Sequence, residues 1–162
     1  MPVERDTVTF VCTGNTCRSP MAEALLRAAL AKRAGGLEAL KVASFGLAAH
    51  PGDPASPNSV KTMQRIGQDL KSHRSRLLTQ ADLDRSLVVF GMTESHLAAL
   101  RQRFDALPEH VLLLRDVLPE GADRNIPDPF GGGYRDYEEC RDSMVEAIPA
   151  LLAYLKHHFI RP

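Results

Sequence analysis

A short apolar run leads into a turn-rich loop and then into an amphipathic segment, and this unit constrains the fold most. The run Val8–Val11 is typical of a buried strand, and residues 19–33 carry apolar side chains at helical spacing. Ser19 is a favoured N-cap residue, and Pro20 suits the first helical position. The sequence therefore predicts a strand, a loop over residues 12–18 and a helix, which together form the repeating unit of a parallel α/β sheet.

The same alternation continues along the chain. Further strands are predicted at 42–47, 87–90 and 111–114, and further helices at 60–66, at about 93–104 and from Tyr137 to Phe159. Pro149 falls inside the last pattern, so we expect a kink or a break near Ile148. Alternating strands and helices predict a single α/β domain over residues 1–162, with a parallel sheet covered by helices on both faces.

Composition indicates a globular protein without a bulk preference for charged partners. Apolar residues make up 44% of the chain, and its 20 basic and 20 acidic residues cancel, so nothing favours nucleic acid or a membrane surface. The sequence contains neither a transmembrane run nor a signal-peptide pattern, and its three cysteines do not suggest a disulfide framework. We expect a soluble cytoplasmic monomer that binds neither nucleic acid nor membrane.

The loop after the first strand combines a nucleophile with an anion site. Cys12 ends the strand and Arg18 begins the helix, so backbone N–H groups and the helix dipole favour an anion between them. That field favours the thiolate, and the guanidinium matches two phosphate oxygens. Gly14 and Asn15 suit unusual backbone angles. A cysteine at a strand end is more often simply buried, but this context favours a phosphatase.

Cofactor-dependent alternatives fit the loop poorly. The chain contains no glycine-rich nucleotide motif. Cys12 and Cys17 lack the close spacing and the second ligand pair of a zinc site. We therefore expect no cofactor and no metal.

The segment Val11–Glu23, VCTGNTCRSPMAE, resembles the active-site loop of the low-molecular-weight protein tyrosine phosphatase family. Four further motifs follow in the family's order: Ser44-Phe45-Gly46, His73–Thr79, Gly91-Met92-Thr93 and Asp128–Gly131. The resemblance implies a flavodoxin-like fold with four parallel strands. It also implies a hydrolase that dephosphorylates protein side chains through a phosphocysteine intermediate.

The resemblance implies a role for each residue of the site. Cys12 would be the nucleophile, and Asp128 would be the general acid and then the general base. Arg18 and the backbone of the loop would bind phosphate or other oxyanions, the loop residues being Thr13, Gly14, Asn15, Thr16 and Cys17. Taken alone, Asp128 would be a solvated aspartate in a turn, so only the resemblance makes it a catalytic candidate.

Supporting residues are implied in the same way. Asn15 would bond across the loop, Ser19 would stabilise the thiolate, and Ser44 and His73 would complete a hydrogen-bond network behind them. Taken alone, His73 would be a surface histidine in a basic stretch. Cys17 is either structural or forms a protective disulfide with Cys12 on oxidation, which the resemblance favours. Cys140 lies on the apolar stripe of the last helix, which predicts a core position.

Two positions resemble the bacterial protein-arginine phosphatases. Thr16 stands where tyrosine-directed members usually carry an aliphatic residue, and Phe130 precedes three glycines where they often carry two tyrosines. A phosphotyrosine ring needs an apolar slot with aromatic walls, whereas the Thr16 hydroxyl suits a polar, planar group. We therefore expect phosphoarginine as the substrate, with phosphotyrosine as the alternative.

Two other functional classes are less compatible with the sequence. A thiol-dependent arsenate reductase uses an additional cysteine pair, and no cysteine lies between Cys17 and Cys140. A non-catalytic phosphate-binding module would have lost Cys12, Arg18 or Asp128, and all three are present.

Overall fold

A parallel sheet of four strands organises the computed structural model, which describes residues 4–33 and 35–160. The strands pair in the order β2-β1-β3-β4 and are β1 (Thr7–Cys12), β2 (Lys41–Gly46), β3 (Ser86–Gly91) and β4 (His110–Leu113). The helices are α1 (Arg18–Ala31), α2 (Pro57–Gln64), α3 (Gln80–Asp84), α4 (Glu94–Arg103) and α5 (Tyr134–Phe159). The predicted flavodoxin-like sheet is confirmed.

The two central strands carry apolar side chains to both faces of the sheet. Every residue of β1 is buried, as expected for a parallel strand covered on both sides. On one face Val8, Phe10, Val88 and Phe90 pack in a core that includes the inner sides of α1 and α5. On the other face a second core contains side chains of β1, β3, α3 and α4, among them Val11, Val89, Leu83, Leu97 and Leu100. The prediction of helices on both faces is confirmed.

The strand order creates a crevice at the carboxyl ends of β1 and β3. β1 pairs with β2 on one side and with β3 on the other, so the connections that leave β1 and β3 run in opposite directions. Ligands of open parallel sheets bind at such switch points. Cys12, the last residue of β1, therefore lies at the edge where a ligand is expected.

The structure differs from the predicted elements in a short helix that the pattern did not reveal. α3 has five residues and is stabilised at its start by Thr79, whose side chain and backbone exchange hydrogen bonds with Asp82. A helix this short shows no clear apolar period, so its signal lies in the capping residues alone.

α5 continues through Pro149, so of the kink or break predicted near Ile148 the break is wrong. Pro149 cannot donate to the carbonyl of Val145, but both residues are exposed, and water can serve that carbonyl. Within the described ranges no helix, α5 included, has both the length and the apolar character needed to cross a membrane.

Candidate active site

The loop that follows β1 is fixed by backbone bonds to the segment after β2. The N–H groups of Leu47 and Ala48 donate to the carbonyls of Cys12 and Thr13, each at 2.9 Å. Gly46 makes this approach possible, because a side chain there would lie 2.7 Å from the Thr13 carbonyl oxygen. The loop therefore begins in one defined position.

Asn15 holds the middle of the loop. It is fully buried and has a φ of 57°, a left-handed conformation that asparagine tolerates better than most residues. Its amide nitrogen donates to Ser19 Oγ at 2.8 Å and to Ser44 Oγ at 3.0 Å, and its side-chain oxygen accepts from the Arg76 N–H at 2.9 Å. Its carbonyl lies 2.7 Å from His73 Nε2. Ser44 and His73 thus both contact the back of the loop.

Ser19 links this network to the sulfur of Cys12. Its Oγ lies 2.9 Å from Cys12 Sγ, and Cys12 is 2% exposed. Because Ser19 accepts a hydrogen bond from Asn15, its own hydroxyl hydrogen is available to the sulfur. Behind it, Ser44 donates to buried Glu23 at 2.5 Å. This chain of bonds can stabilise a negative charge on Cys12.

Arg18 begins α1 and is 4% exposed. One terminal nitrogen donates to the Ile126 carbonyl at 3.1 Å, and the other lies 3.6 Å from the Asp128 carboxylate. Its Nε–H is buried and has no hydrogen-bond partner in residues 4–33 and 35–160. A buried charged donor without an acceptor is costly. A phosphate oxygen is an acceptor suited to it.

A pocket of about 220 Å³ opens over Cys12 and Arg18, and it brings together the residues singled out for chemistry and specificity. Its lining comprises Cys12, Thr13, Gly14, Thr16, Cys17, Arg18, Asp128 and Phe130. The side chain of Asp128 is about half exposed, and one of its oxygens accepts the Phe130 N–H at 3.0 Å. Asn15, Ser19, Ser44 and His73 are not part of this lining and form the hydrogen-bond network described above.

A sequence profile of the family described as low molecular weight phosphotyrosine protein phosphatase matches residues 7–160. The chain belongs to this family. The phosphatase is thus a hydrolase that uses a cysteine to act on phosphorylated proteins, as the resemblance implied.

Similar proteins and structures cover almost the whole phosphatase. A protein-arginine-phosphatase of Bacillus subtilis (strain 168) is 35% identical over 149 residues, which span 92% of this chain and 96% of the relative. A low molecular weight protein-tyrosine-phosphatase of Streptomyces coelicolor is 36% identical over 154 residues, with coverages of 92% and 93%. The crystal structure of a YwlE mutant from Bacillus subtilis is 33% identical, with a TM-score of 0.82 and coverages of 93% and 98%.

Cys17 contacts a polar cluster that sequence reasoning missed. Its thiol donates to Ser56 Oγ at 3.3 Å and lies 3.7 Å from the Tyr137 hydroxyl. Burial, followed by the Cys17 contact, raises the pKa of Tyr137 to about 12. All three cysteines of the phosphatase are free thiols, and Cys140 is buried in the core as predicted. The disulfide between Cys12 and Cys17 stays a prediction.

His96 is the other residue near the pocket that sequence reasoning missed. It lies in the first turn of α4, and its Nδ1 accepts the N–H groups of Met92 and Thr93 at 3.1 and 3.3 Å. Its Nε2 lies 3.2 Å from Thr13 Oγ1. Burial and then the charge of Arg18 lower the pKa of His96 to about 4. Its only local signal in the sequence is the spacing from Thr93, which matches a helix cap.

Proposed function

We propose that this phosphatase removes phosphate from arginine side chains of proteins and that Cys12, Arg18 and Asp128 carry the reaction. The observation that carries the proposal is the arrangement of Arg18. Its guanidinium is held by Ile126 and Asp128, while its buried Nε–H is left without a partner in the described residues. Cys12 lines the same pocket, with Ser19 bonded to its sulfur. A phosphoryl group bound by Arg18 is thereby within the space that the nucleophile faces.

The proposed reaction has two steps. Cys12 Sγ attacks phosphorus, the S–P bond forms, the P–N bond to the guanidino group breaks, and Asp128 gives its proton to the leaving nitrogen. Water then attacks the phosphocysteine, Asp128 accepts a proton from that water, and the S–P bond breaks to release phosphate. Arg18 and the loop N–H groups bind the phosphoryl oxygens throughout, where charge lies in the transition state.

The pocket residues, rather than overall similarity, support phosphoarginine over phosphotyrosine. The protein-arginine-phosphatase and the protein-tyrosine-phosphatase reported above are 35% and 36% identical to this chain, which does not separate them. Thr16 lines the pocket with a hydroxyl, which can bond a polar group. Phe130 is 77% exposed and is followed by glycines, so it supplies one aromatic wall with little bulk beyond it. Phosphotyrosine is the second candidate because Phe130 can stack on its ring.

The test compares rates on matched phosphoarginine and phosphotyrosine peptides for the wild type, Thr16→Ile and Thr16→Ser. We expect the wild type to favour phosphoarginine, Thr16→Ser to keep that preference, and Thr16→Ile to move it toward phosphotyrosine. Cys12→Ser should be inactive on both peptides. A wild type that favours phosphotyrosine would overturn the substrate assignment, and equal relative activities for the wild type and Thr16→Ile would overturn the role of Thr16 in it. Wild-type turnover by Cys12→Ser would overturn the mechanism.

We also infer a monomeric cytoplasmic protein that does not bind nucleic acid or membrane. All three of its cysteines are free thiols, as suits a reducing compartment, and its formal net charge is zero. Light scattering during gel filtration and fractionation of cells expressing the phosphatase test these points. A stable dimer, or recovery in the membrane fraction, would contradict them.

A further inference from the structure

A histidine on the far side of the switch-point crevice contacts the first residue of the phosphate-binding loop. His96 Nε2 lies 3.2 Å from Thr13 Oγ1, although 83 positions separate the two residues in sequence. His96 is 4% exposed, whereas Thr13 is exposed and lines the pocket. One end of the imidazole is thus enclosed by protein, and the other end reaches a hydroxyl that a substrate can meet.

The hydrogen-bond partners of His96 define which of its ring nitrogens carries the proton. Nδ1 accepts the N–H groups of Met92 and Thr93, so it must be unprotonated. The proton of the neutral ring is therefore on Nε2, which donates to Thr13 Oγ1. Thr13 keeps a free lone pair and its own hydroxyl hydrogen for a bound ligand.

The surroundings of His96 hold this arrangement in place. A side chain at Gly91 would lie 3.1 Å from the His96 Cβ, so the glycine lets the histidine pack against the end of β3. Met92 donates to His96, and its carbonyl accepts the Ile126 N–H at 2.9 Å. The Ile126 carbonyl in turn accepts from Arg18. His96 is therefore linked by a hydrogen bond to Thr13, which lines the pocket, and through Met92 and Ile126 to Arg18.

We propose that His96 is a positioning residue that aims the Thr13 hydroxyl into the pocket, where it accepts a hydrogen bond from the guanidino group of the substrate. The inference rests on the proposed function. A guanidino group has several N–H donors and needs acceptors around it, whereas the ring of phosphotyrosine has none to offer. Thr16 supplies a second hydroxyl on the same pocket. Two hydroxyls, one of them oriented by His96, select the polar substrate.

A double-mutant cycle on both peptides tests the inference. Thr13→Val removes the hydroxyl, and Thr13→Ser retains it. His96→Asn keeps an amide oxygen for the N–H groups of Met92 and Thr93, but its side chain is too short to reach Thr13. The wild type, these three variants and the double variant Thr13→Val/His96→Asn are assayed for kcat and KM, and their Tm values are compared.

Thr13→Val and His96→Asn should each lower kcat/KM on phosphoarginine about tenfold, mainly through KM, as expected for one lost hydrogen bond. The loss on phosphotyrosine should be at least about threefold smaller than the loss on phosphoarginine. Thr13→Ser should keep the wild-type ratio of kcat/KM on the two peptides, and the double variant should be no worse than either single variant, because the two residues act through one bond.

Three results would overturn the inference. The first is an unchanged substrate preference in Thr13→Val, which is decisive even if His96→Asn does not fold, because Thr13 is exposed. The second is a double variant whose loss is the product of the two single losses. The third is an equal loss on both peptides in His96→Asn. If the wild type itself does not hydrolyse phosphoarginine, both the proposed function and this inference are overturned. If the wild type prefers phosphoarginine, any one of the three results overturns this inference and leaves the proposed function standing.

Discussion

Two loops form the pocket, and they differ in how firmly they are held. In the proposed phosphate-binding loop, residues 12–18, Asn15 is fully buried, Arg18 is 4% exposed, and hydrogen bonds reach the loop from several other segments. In the loop that carries the proposed acid, residues 119–133, the Asp128 side chain is half exposed and Phe130 is 77% exposed. The second loop is anchored at buried Ile126, which bonds both Met92 and Arg18.

The difference in burial between the two loops matches the part of the substrate that each loop is proposed to bind. The phosphoryl group is the same in every substrate, so its binding site gains from being fixed before the substrate arrives. The side chain and the protein that carry the phosphate vary, and the exposed loop is the one placed to contact them. Ile126, a fully buried residue of the second loop, also supports Arg18 of the first loop.

Arg18→Lys should have the largest effect. Lysine cannot contact Ile126, Asp128 and a phosphate oxygen at once, because it lacks the planar fork. We expect kcat/KM to fall about 10³-fold, near the upper range for loss of one transition-state donor. Steady-state kinetics measure this, with Arg135→Lys on the exposed side of α5 as the matched control. A loss below tenfold in Arg18→Lys would mean that Arg18 does not clamp the phosphate.

Asn15→Ala should lower the free energy of unfolding more than a substitution in the second loop does. It places alanine in a left-handed conformation and removes the hydrogen bonds that the Asn15 amide donates to the buried Ser19 and Ser44 hydroxyls. We expect a loss of about 3 kcal/mol in the free energy of unfolding. Phe130→Ala, in the second loop, should change it by less than about 0.5 kcal/mol. Urea unfolding of both variants measures the contrast, and similar losses would refute it.

Asp128→Asn should separate catalysis from binding. The amide keeps the shape of the side chain but cannot donate a proton to the leaving nitrogen, so kcat should fall about 10²-fold. Inhibition by inorganic phosphate should stay within about threefold, because phosphate contacts the first loop. If phosphate inhibition weakens as much as kcat falls, Asp128 acts by positioning Arg18 rather than as an acid.

The smallest expected effect concerns pH and stability. The pKa of His96 is lowered to about 4, by burial and by Arg18 and against the opposing charge of Asp128. The unfolded chain therefore binds a proton that the folded chain excludes between about pH 6.5 and pH 4, and folding stability falls as pH drops through this range. From pH 7 to pH 5 the loss from this residue should be about 2 kcal/mol. Urea unfolding at both pH values should show a smaller loss in His96→Asn. An equal pH dependence of stability in the wild type and in His96→Asn would contradict the lowered pKa of His96.

What the sequence revealed depended on how close the interacting residues lie along the chain. The strand, the loop and the helix over residues 8–20 are consecutive, so periodicity describes them together. The predicted N-cap at Ser19 is wrong, because α1 begins at Arg18 with Cys17 as its N-cap residue. The network behind the loop joins Asn15 to residues 29 and 58 positions away, Ser44 and His73. No local pattern marks such partners, and only the family resemblance named them.

The residues that sequence reasoning missed are fixed by tertiary contacts. Tyr137 lies 120 positions from Cys17, and His96 lies 83 from Thr13, so neither contact has a signature in a single sequence. The predicted break at Pro149 failed for the opposite reason. A strong local rule was overridden because Val145 and Pro149 lie on an exposed helix face, where water can bond the freed carbonyl.

The bond between Arg18 and the Ile126 carbonyl spans 108 positions of the chain. During synthesis on the ribosome, the segment that contains Cys12 emerges before the segment that bonds Arg18. A chain synthesised only as far as α1 therefore has the cysteine without Ile126 and Asp128, and the proposed site can assemble only after both of these residues have left the ribosome.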